Sequence, residues 1–348
     1  MRNILIGSLL LLSGAAAGSA AIRTIASTVP ANGDVNPYGV AVVPVSTGAL
    51  VQHSILVSNF NDADNVQGTG TTIVEITPDG KLTVFAQIVA DQLPGSCPGG
   101  VGLTTALVVL RSGFVIVGSL PTSNSGATVH PGCLIVLNNM GTPVATISGA
   151  NINGPWDMTA LDLGSRAVLF VTNVLIPSPI SATGIQGTVL RILLAIPSTG
   201  APTVVNETVI GDAFSSTLDP AALVIGPTGV GLGLEGTLYV ADTLNSRIAS
   251  IPNAVTRVTS AGTGATVAQG NALNQPLGLA VDQGTGRIFT VNAGDGNMVE
   301  TSNRGVQIAV TPVDVSGMGA GTLFGLALAP AGGVYYVDDG NNTLNVVR

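Results

Sequence analysis

Six polar side chains recur at one place in a repeating pattern: Asn59, Ser119, Asn173, Asp242, Asn292 and Asp338. Each ends an apolar run and precedes a polar turn, as in GTLYVADTLN from Gly236 to Asn245. Two chemistries suit such a set. Asx side chains hydrogen-bond the backbone of tight turns. A ring of oxygen atoms could instead hold a hard cation such as calcium, or the hydroxyls of a sugar. For the cation, the candidate ligands are Asp242, Asn292 and Asp338, and Asp62, Asp64, Asp295 and Asp339 add acidity nearby. A second set opens each repeat: Tyr38, Thr104, Trp156, Ala221, Leu277 and Phe324. Three of these are aromatic in a chain that is only 3% aromatic, and Trp156, followed by Asp157, is the only Trp. They serve either to pack one repeat on the next or as a recognition platform. Aromatic faces beside Asn and Asp suit sugars and small amphiphilic ligands.

The chain has two cysteines, Cys97 and Cys133, and two histidines, His53 and His130. In an exported protein two cysteines are most simply a disulfide. His130, three residues before Cys133, gives an incomplete zinc set, and His53 reads as a solvated turn residue. A disulfide would also remove Cys–His nucleophilic catalysis. The sequence has no serine-hydrolase elbow and no HExxH. The glycine-rich run GPTGVGLGLEG has no phosphate-loop Lys and reads as a turn before a strand.

The elements that must position these residues follow from the repeat. The order is a strand-opening Pro or its equivalent, an apolar run, a turn, a second apolar run ending in the polar residue, a loop and a third run. It occurs from Asn36, Leu103, Gly154, Asp219, Gln275 and Leu323. The mean period is about 57 residues, that of a propeller blade with insertions. A fourth run follows in places, as in ITPDGKLTVFAQI after Thr72. The expected fold is therefore all-β, a six-bladed β-propeller of four-stranded antiparallel blades. The last repeat stops after its third run, at Leu344 to Val347, so residues 22 to 28 are expected to supply its fourth strand and close the ring. Closure hides two sheet edges. The loops after the second runs are long in the first three repeats (about 60–71, 120–131 and 174–187) and short in the rest. One side of the face is thus built up in the manner of a binding surface.

QPLGLAVDQGTGRIFTVNAGDGNMV and the segment from Asp219 to Ile248 resemble the NHL-repeat propellers, in the runs Pro-x-Gly-φ-Ala-φ-Asp and Tyr-Val-Ala-Asp-x-x-Asn-x-Arg. The resemblance covers most of residues 22–348, read as one domain. It implies a scaffold shared by binding proteins, lyases and lactonases. The architecture is similar to that of the regucalcin and gluconolactonase group. That group implies a divalent metal held by a Glu near a strand start, an Asn in a Pro-Asn-Gly context and an Asp. The starts here read NPYG, GPWD, DPAA and QPLG, without that Glu or Pro-Asn-Gly. The peptide-amidating lyases of the family use several His, and this chain has two.

The first 21 residues read as a secretory signal peptide: Arg2, an apolar core from Ile4 to Leu12, and small residues to Ala21. The core is shorter than the roughly 20 residues of a membrane span. The expectation is export to the periplasm or beyond, with no stable membrane insertion after cleavage. The net charge is −8 and Lys81 is the only Lys. Nucleic-acid binding, which needs clustered Lys or Arg, is disfavoured. The sequence thus points first to a binding module for a small molecule, a glycan or a protein on the long-loop face. The alternative is a metal-dependent, lactonase-like hydrolase or lyase.

Overall fold

The structure, a computed structural model, describes residues 20–176 and 186–348. The signal-peptide reading lies outside the described residues up to residue 19, and the third long loop does so over 177–185. The fold is the expected six-bladed propeller, with each blade a four-stranded antiparallel sheet. Blade 1 runs from Val35 to Gln87, blade 2 from Leu103 to Ile147 and blade 3 from Pro155 to Ser215. Blade 4 runs from Pro227 to Gln269, blade 5 from Pro276 to Pro312 and blade 6 from Leu323 to Val347. Ile22–Ser27 pairs antiparallel with Thr343–Val347, so the N-terminal strand completes blade 6. Among the described residues there is no α-helix, and no helix is long and apolar enough to cross a membrane.

The strand-opening Pro has a physical reason. The innermost strand of a blade is an edge strand, so a missing N–H there costs no ladder hydrogen bond. Glycine two residues after the blade start lets neighbouring backbones touch. A Cβ on Gly278 would lie 1.9 Å from the Phe324 carbonyl oxygen, and one on Gly325 would lie 2.2 Å from that of Tyr38. A register shift follows each opening residue in all six blades. Hydroxyls on second strands then pin blade to blade. Ser58 Oγ donates to the Thr104 carbonyl at 2.7 Å, and Thr172 Oγ1 donates to that of Thr228 at 2.7 Å. Apolar side chains fill the gaps between blades, as do Leu134, Leu169 and Leu190 between blades 2 and 3.

Two sequence expectations need correction. Blade 4 begins at Pro227, not in the Asp219 run, so the residue at the Tyr38 position is Thr228 and not Ala221. The run GPTGVGLGLEG is not simply a turn, because Pro227–Leu232 within it is the inner strand. Its Pro-Thr-Gly supplies the close approach that the Asp219 run cannot, since a Cβ on Gly229 would lie 2.3 Å from the Leu277 carbonyl oxygen. The Asp219 run instead forms a hairpin, Thr217–Asp219 against Leu223–Ile225, outside any blade. The second long loop also contains a short hairpin, Thr122–Ser123 against Thr128–Val129.

Candidate functional site at the top face

The six recurring polar residues sit in one register. Asn59, Ser119, Asn173, Asp242, Asn292 and Asp338 lie opposite Pro37, Leu103, Pro155, Pro227, Pro276 and Leu323. All six are fully buried. Four of them hold the connection arriving from the preceding blade. Asn59 donates to the Thr28 carbonyl (3.0 Å), Ser119 to that of Gly100 (2.9 Å) and Asn292 to that of Ala272 (2.8 Å). Asp338 accepts from the amides of Val315 (3.0 Å) and Ser316 (3.1 Å). Asp242 turns to Arg247, at 2.9 Å from Nε and 2.7 Å from Nη2. The Asn173 side chain has no hydrogen-bond partner among the described residues. Turn and connection chemistry therefore accounts for most of the ring. Among the described residues no three His, Cys, Asp or Glu side chains gather as a metal site.

The opening residues do converge. Tyr38 stacks on Phe324 with ring centroids 4.0 Å apart and on Phe60 at 4.4 Å, and Trp156 lies 6.4 Å from both Tyr38 and Phe324. Phe60 was not singled out from the sequence. Its only signal is its place beside Asn59. The expectation of an open platform is corrected: Tyr38 and Trp156 are each 2% exposed and Phe324 is fully buried. The hairpin covers them, with Ala222, Leu223, Val224 and Ile225 in the same apolar cluster. Trp156 Nε1 donates to the Val224 carbonyl at 3.0 Å, and Tyr38 Oη lies 3.5 Å from that of Ala221.

Asp157 lines the channel on the far side of the rings, a cavity of about 290 Å³ walled by the inner strands. Its carboxylate accepts from the amides of Met158 (2.8 Å) and Val230 (3.0 Å), joining blades 3 and 4. Burial raises its pKa to about 7.

The larger open feature beside the hairpin is a polar cleft of about 670 Å³ between blades 1 and 6. Asn36, Asn61, Asn65, Gln67, Thr322 and Asp339 line it. Burial raises the Asp339 pKa to about 7, and the charges of Asp338 and Asp314 add to the shift. Burial also raises Asp338, with Asp314 adding. Burial, then the charge of Asp339, lifts the Tyr38 phenol well above its ordinary value, so it remains a donor. Three further oxygens are buried without a hydrogen-bond partner among the described residues: Asn36 Oδ1, Asn61 Oδ1 and Thr322 Oγ1. Buried polar atoms are paired in the great majority of cases, so such a group calls for a water or a ligand. The Asn61 amide nitrogen already donates to Asn65 Oδ1 at 2.7 Å, which leaves its oxygen as an acceptor. Among the described residues no Lys, Arg or His lines the cleft.

Cys97 and Cys133 form the expected disulfide, with Cα atoms 5.2 Å apart. That withdraws Cys133 from any zinc set. His130 Nε2 instead lies 2.7 Å from Ser123 Oγ, and His53 is an exposed residue with φ of 68°.

No family model and no curated protein sequence matches the chain. Solved structures do match, at low identity. A protein provisionally described as a gluconolactonase aligns with a TM-score of 0.56 and 14% identity, over 95% of this chain and 92% of that one. Regucalcin, a calcium-binding protein from Agrobacterium tumefaciens strain C58, aligns at 0.53 and 15%, over 94% of each chain. A catalytically inactive virginiamycin B lyase from Staphylococcus aureus, solved with quinupristin, aligns at 0.51 and 13%, over 94% of this chain and 99% of that one. The likeness is one of fold.

The metal implied by the gluconolactonase resemblance is not fitted by the residues present. The strand starts at the channel mouth carry Tyr38, Trp156, Leu277 and Phe324 where oxygen ligands would be needed, and the hairpin closes over them.

Proposed function

We propose that the chain is a hydrolase or lyase of small hydroxylated ring compounds, lactones first, working in the top-face cleft with Asp339 as general acid–base. The observation that carries the reading is the Asp339 carboxyl on the cleft wall with a pKa of about 7. A general base works best when its pKa lies near the operating pH. In lactone hydrolysis Asp339 would take a proton from water as the water oxygen bonds to the carbonyl carbon. The ring C–O bond then breaks, and Asp339 returns the proton to the departing alkoxide. The polar wall formed by Asn36, Asn61, Asn65 and Thr322 would hydrogen-bond substrate hydroxyls. Proteins described as a gluconolactonase and a virginiamycin B lyase share the fold, which supports the class. The repeat motifs favour an NHL-type scaffold. The disulfide fits export to the periplasm or beyond.

A binding module without turnover, for a small molecule, glycan or protein, is the second reading. It is favoured by the same polar wall, which serves recognition without chemistry. The test is a panel of lactones and esters assayed by proton release, on the mature protein and on Asp339→Asn. The expected result is lactone turnover that falls by about 10²-fold or more in the variant, the size of a general acid–base contribution. Turnover that Asp339→Asn leaves unchanged would remove Asp339 from the reaction. Absence of turnover with retained ligand binding would favour the module.

A further inference from the structure

The hairpin Thr217–Ile225 differs from most of the other connections on the top face, although the side chain of Asn173 likewise makes no bond to the connection entering blade 3. In blades 1, 2, 5 and 6 the buried polar residue of the second strand holds the incoming connection. Its blade 4 counterpart, Asp242, makes no hydrogen bond to the hairpin and is engaged by Asn245 and Arg247. The tip is undercut on both sides. The polar cleft reaches Pro220 and Ala221, and a second cavity of about 270 Å³ reaches Leu218, Asp219 and Leu223. Leu223 has φ of 63°, a conformation rarely adopted by a branched side chain. The hairpin is closed at its base, where a Cβ on Gly226 would meet Ser216 Oγ at 2.2 Å. It therefore stands as a unit on a narrow stem.

Its contacts with the rings below combine apolar packing with backbone hydrogen bonds. Besides side chains, it brings backbone acceptors to the two ring donors: the Val224 carbonyl to Trp156 Nε1 and the Ala221 carbonyl towards Tyr38 Oη. Outside the rings, the Gln67 amide donates to the carbonyls of Pro220 (3.1 Å) and Ala221 (2.9 Å), tying down the tip.

We infer that the hairpin is a displaceable plug, and that the pocket beneath it, formed by Tyr38, Phe60, Trp156 and Phe324, binds a flat ring bearing two hydrogen-bond acceptors. The ligand's ring takes the place of Leu223 and its neighbours against the aromatic faces. Its acceptors take the places of the two carbonyls. An aromatic lactone supplies the flat ring and one of these acceptors. The inference deepens the function proposed above, because the cleft beside the plug is the way in.

Trp156 is the only Trp, so its emission reports on the plug. The probes are acrylamide as quencher and coumarin as ring ligand. The variants, in the full mature chain, are Gln67→Ala and an excision of residues 217–225 closed by an Asn-Gly turn. The expected result is weak quenching in the parent and several-fold stronger quenching in the excised chain, reversed by coumarin. Gln67→Ala, which removes the bonds to the Pro220 and Ala221 carbonyls, binds coumarin more tightly than the parent. The inference is overturned if Gln67→Ala leaves coumarin affinity unchanged and the excised chain unfolds, keeps Trp156 shielded or gains no protection from coumarin. The two proposals fail separately. Coumarin bound without hydrolysis keeps the plug and counts against the hydrolase, whereas turnover with Trp156 still shielded does the reverse.

Discussion

Blades 4 and 6 place an aspartate at the same register and treat it in opposite ways. In blade 4, Asp242 pairs across the strands with Arg247, and the two form a buried ion pair. In blade 6 the residue opposite Asp338 is Thr343, so no cation arrives. Asp338 accepts two backbone amides with one oxygen and leaves the other buried without a partner among the described residues. Its charge then adds to the burial that lifts Asp339, on the wall of the cleft. The scaffold is shared, but one substitution in the motif decides whether the site is electrostatically closed. Blade 4 spends its aspartate on stability. Blade 6 leaves two carboxyls uncompensated where a ligand can reach one of them.

The largest effect should come from breaking the closed site. Arg247→Ala or Asp242→Asn leaves one member of a buried pair alone, at a cost of about 3–5 kcal/mol. Asp338→Asn should cost under about 1 kcal/mol, because the amide oxygen can still accept from Val315 and Ser316 and no buried cation is stranded. Denaturant unfolding of the three variants at one pH checks this, and equal costs at Asp242 and Asp338 would erase the contrast.

A smaller effect lies in the pH dependence. Asp157 and Asp339 have folded-state pKa values raised from 3.8 to about 7. A raised value means that the folded state holds the proton more tightly. The stability these groups contribute is therefore complete below about pH 4 and is lost as pH rises through about 7. Unfolding midpoints measured from pH 4 to 8 should fall across that window. Asp339→Asn should flatten part of the fall and leave the share due to Asp157.

The ring of blades was legible because each Pro-x-Gly start and each Asx strand end recurs with a cause. The first lets backbones touch at Gly278 and Gly325, and the second pins an incoming connection. The closing strand and the disulfide were legible for similar reasons, an incomplete last repeat and two cysteines, one before blade 2 and one at the start of its third strand. The hairpin was not. Ala222–Ile225 is as apolar as a blade strand and follows a Pro, and only the glycine after Thr228 marks the real start. The cleft was hidden as well. Asn36 and Thr322 each stand one residue before a blade opener and Asn61 ends the second strand of blade 1, and the three meet only because the ring brings blade 6 back to blade 1. The aromatic set was found, but its burial depends on a hairpin contributed by a distant part of the chain.

The most direct test of this account is a carbon-13 carboxyl titration of the aspartates by NMR, on the mature protein and on Asp339→Asn. The account predicts that the Asp338–Asp339 pair shows one step near neutral pH, which disappears in the variant. A pair that titrates wholly in the ordinary carboxylate range, near 4, would contradict it, since the cleft would then hold no group poised for acid–base chemistry.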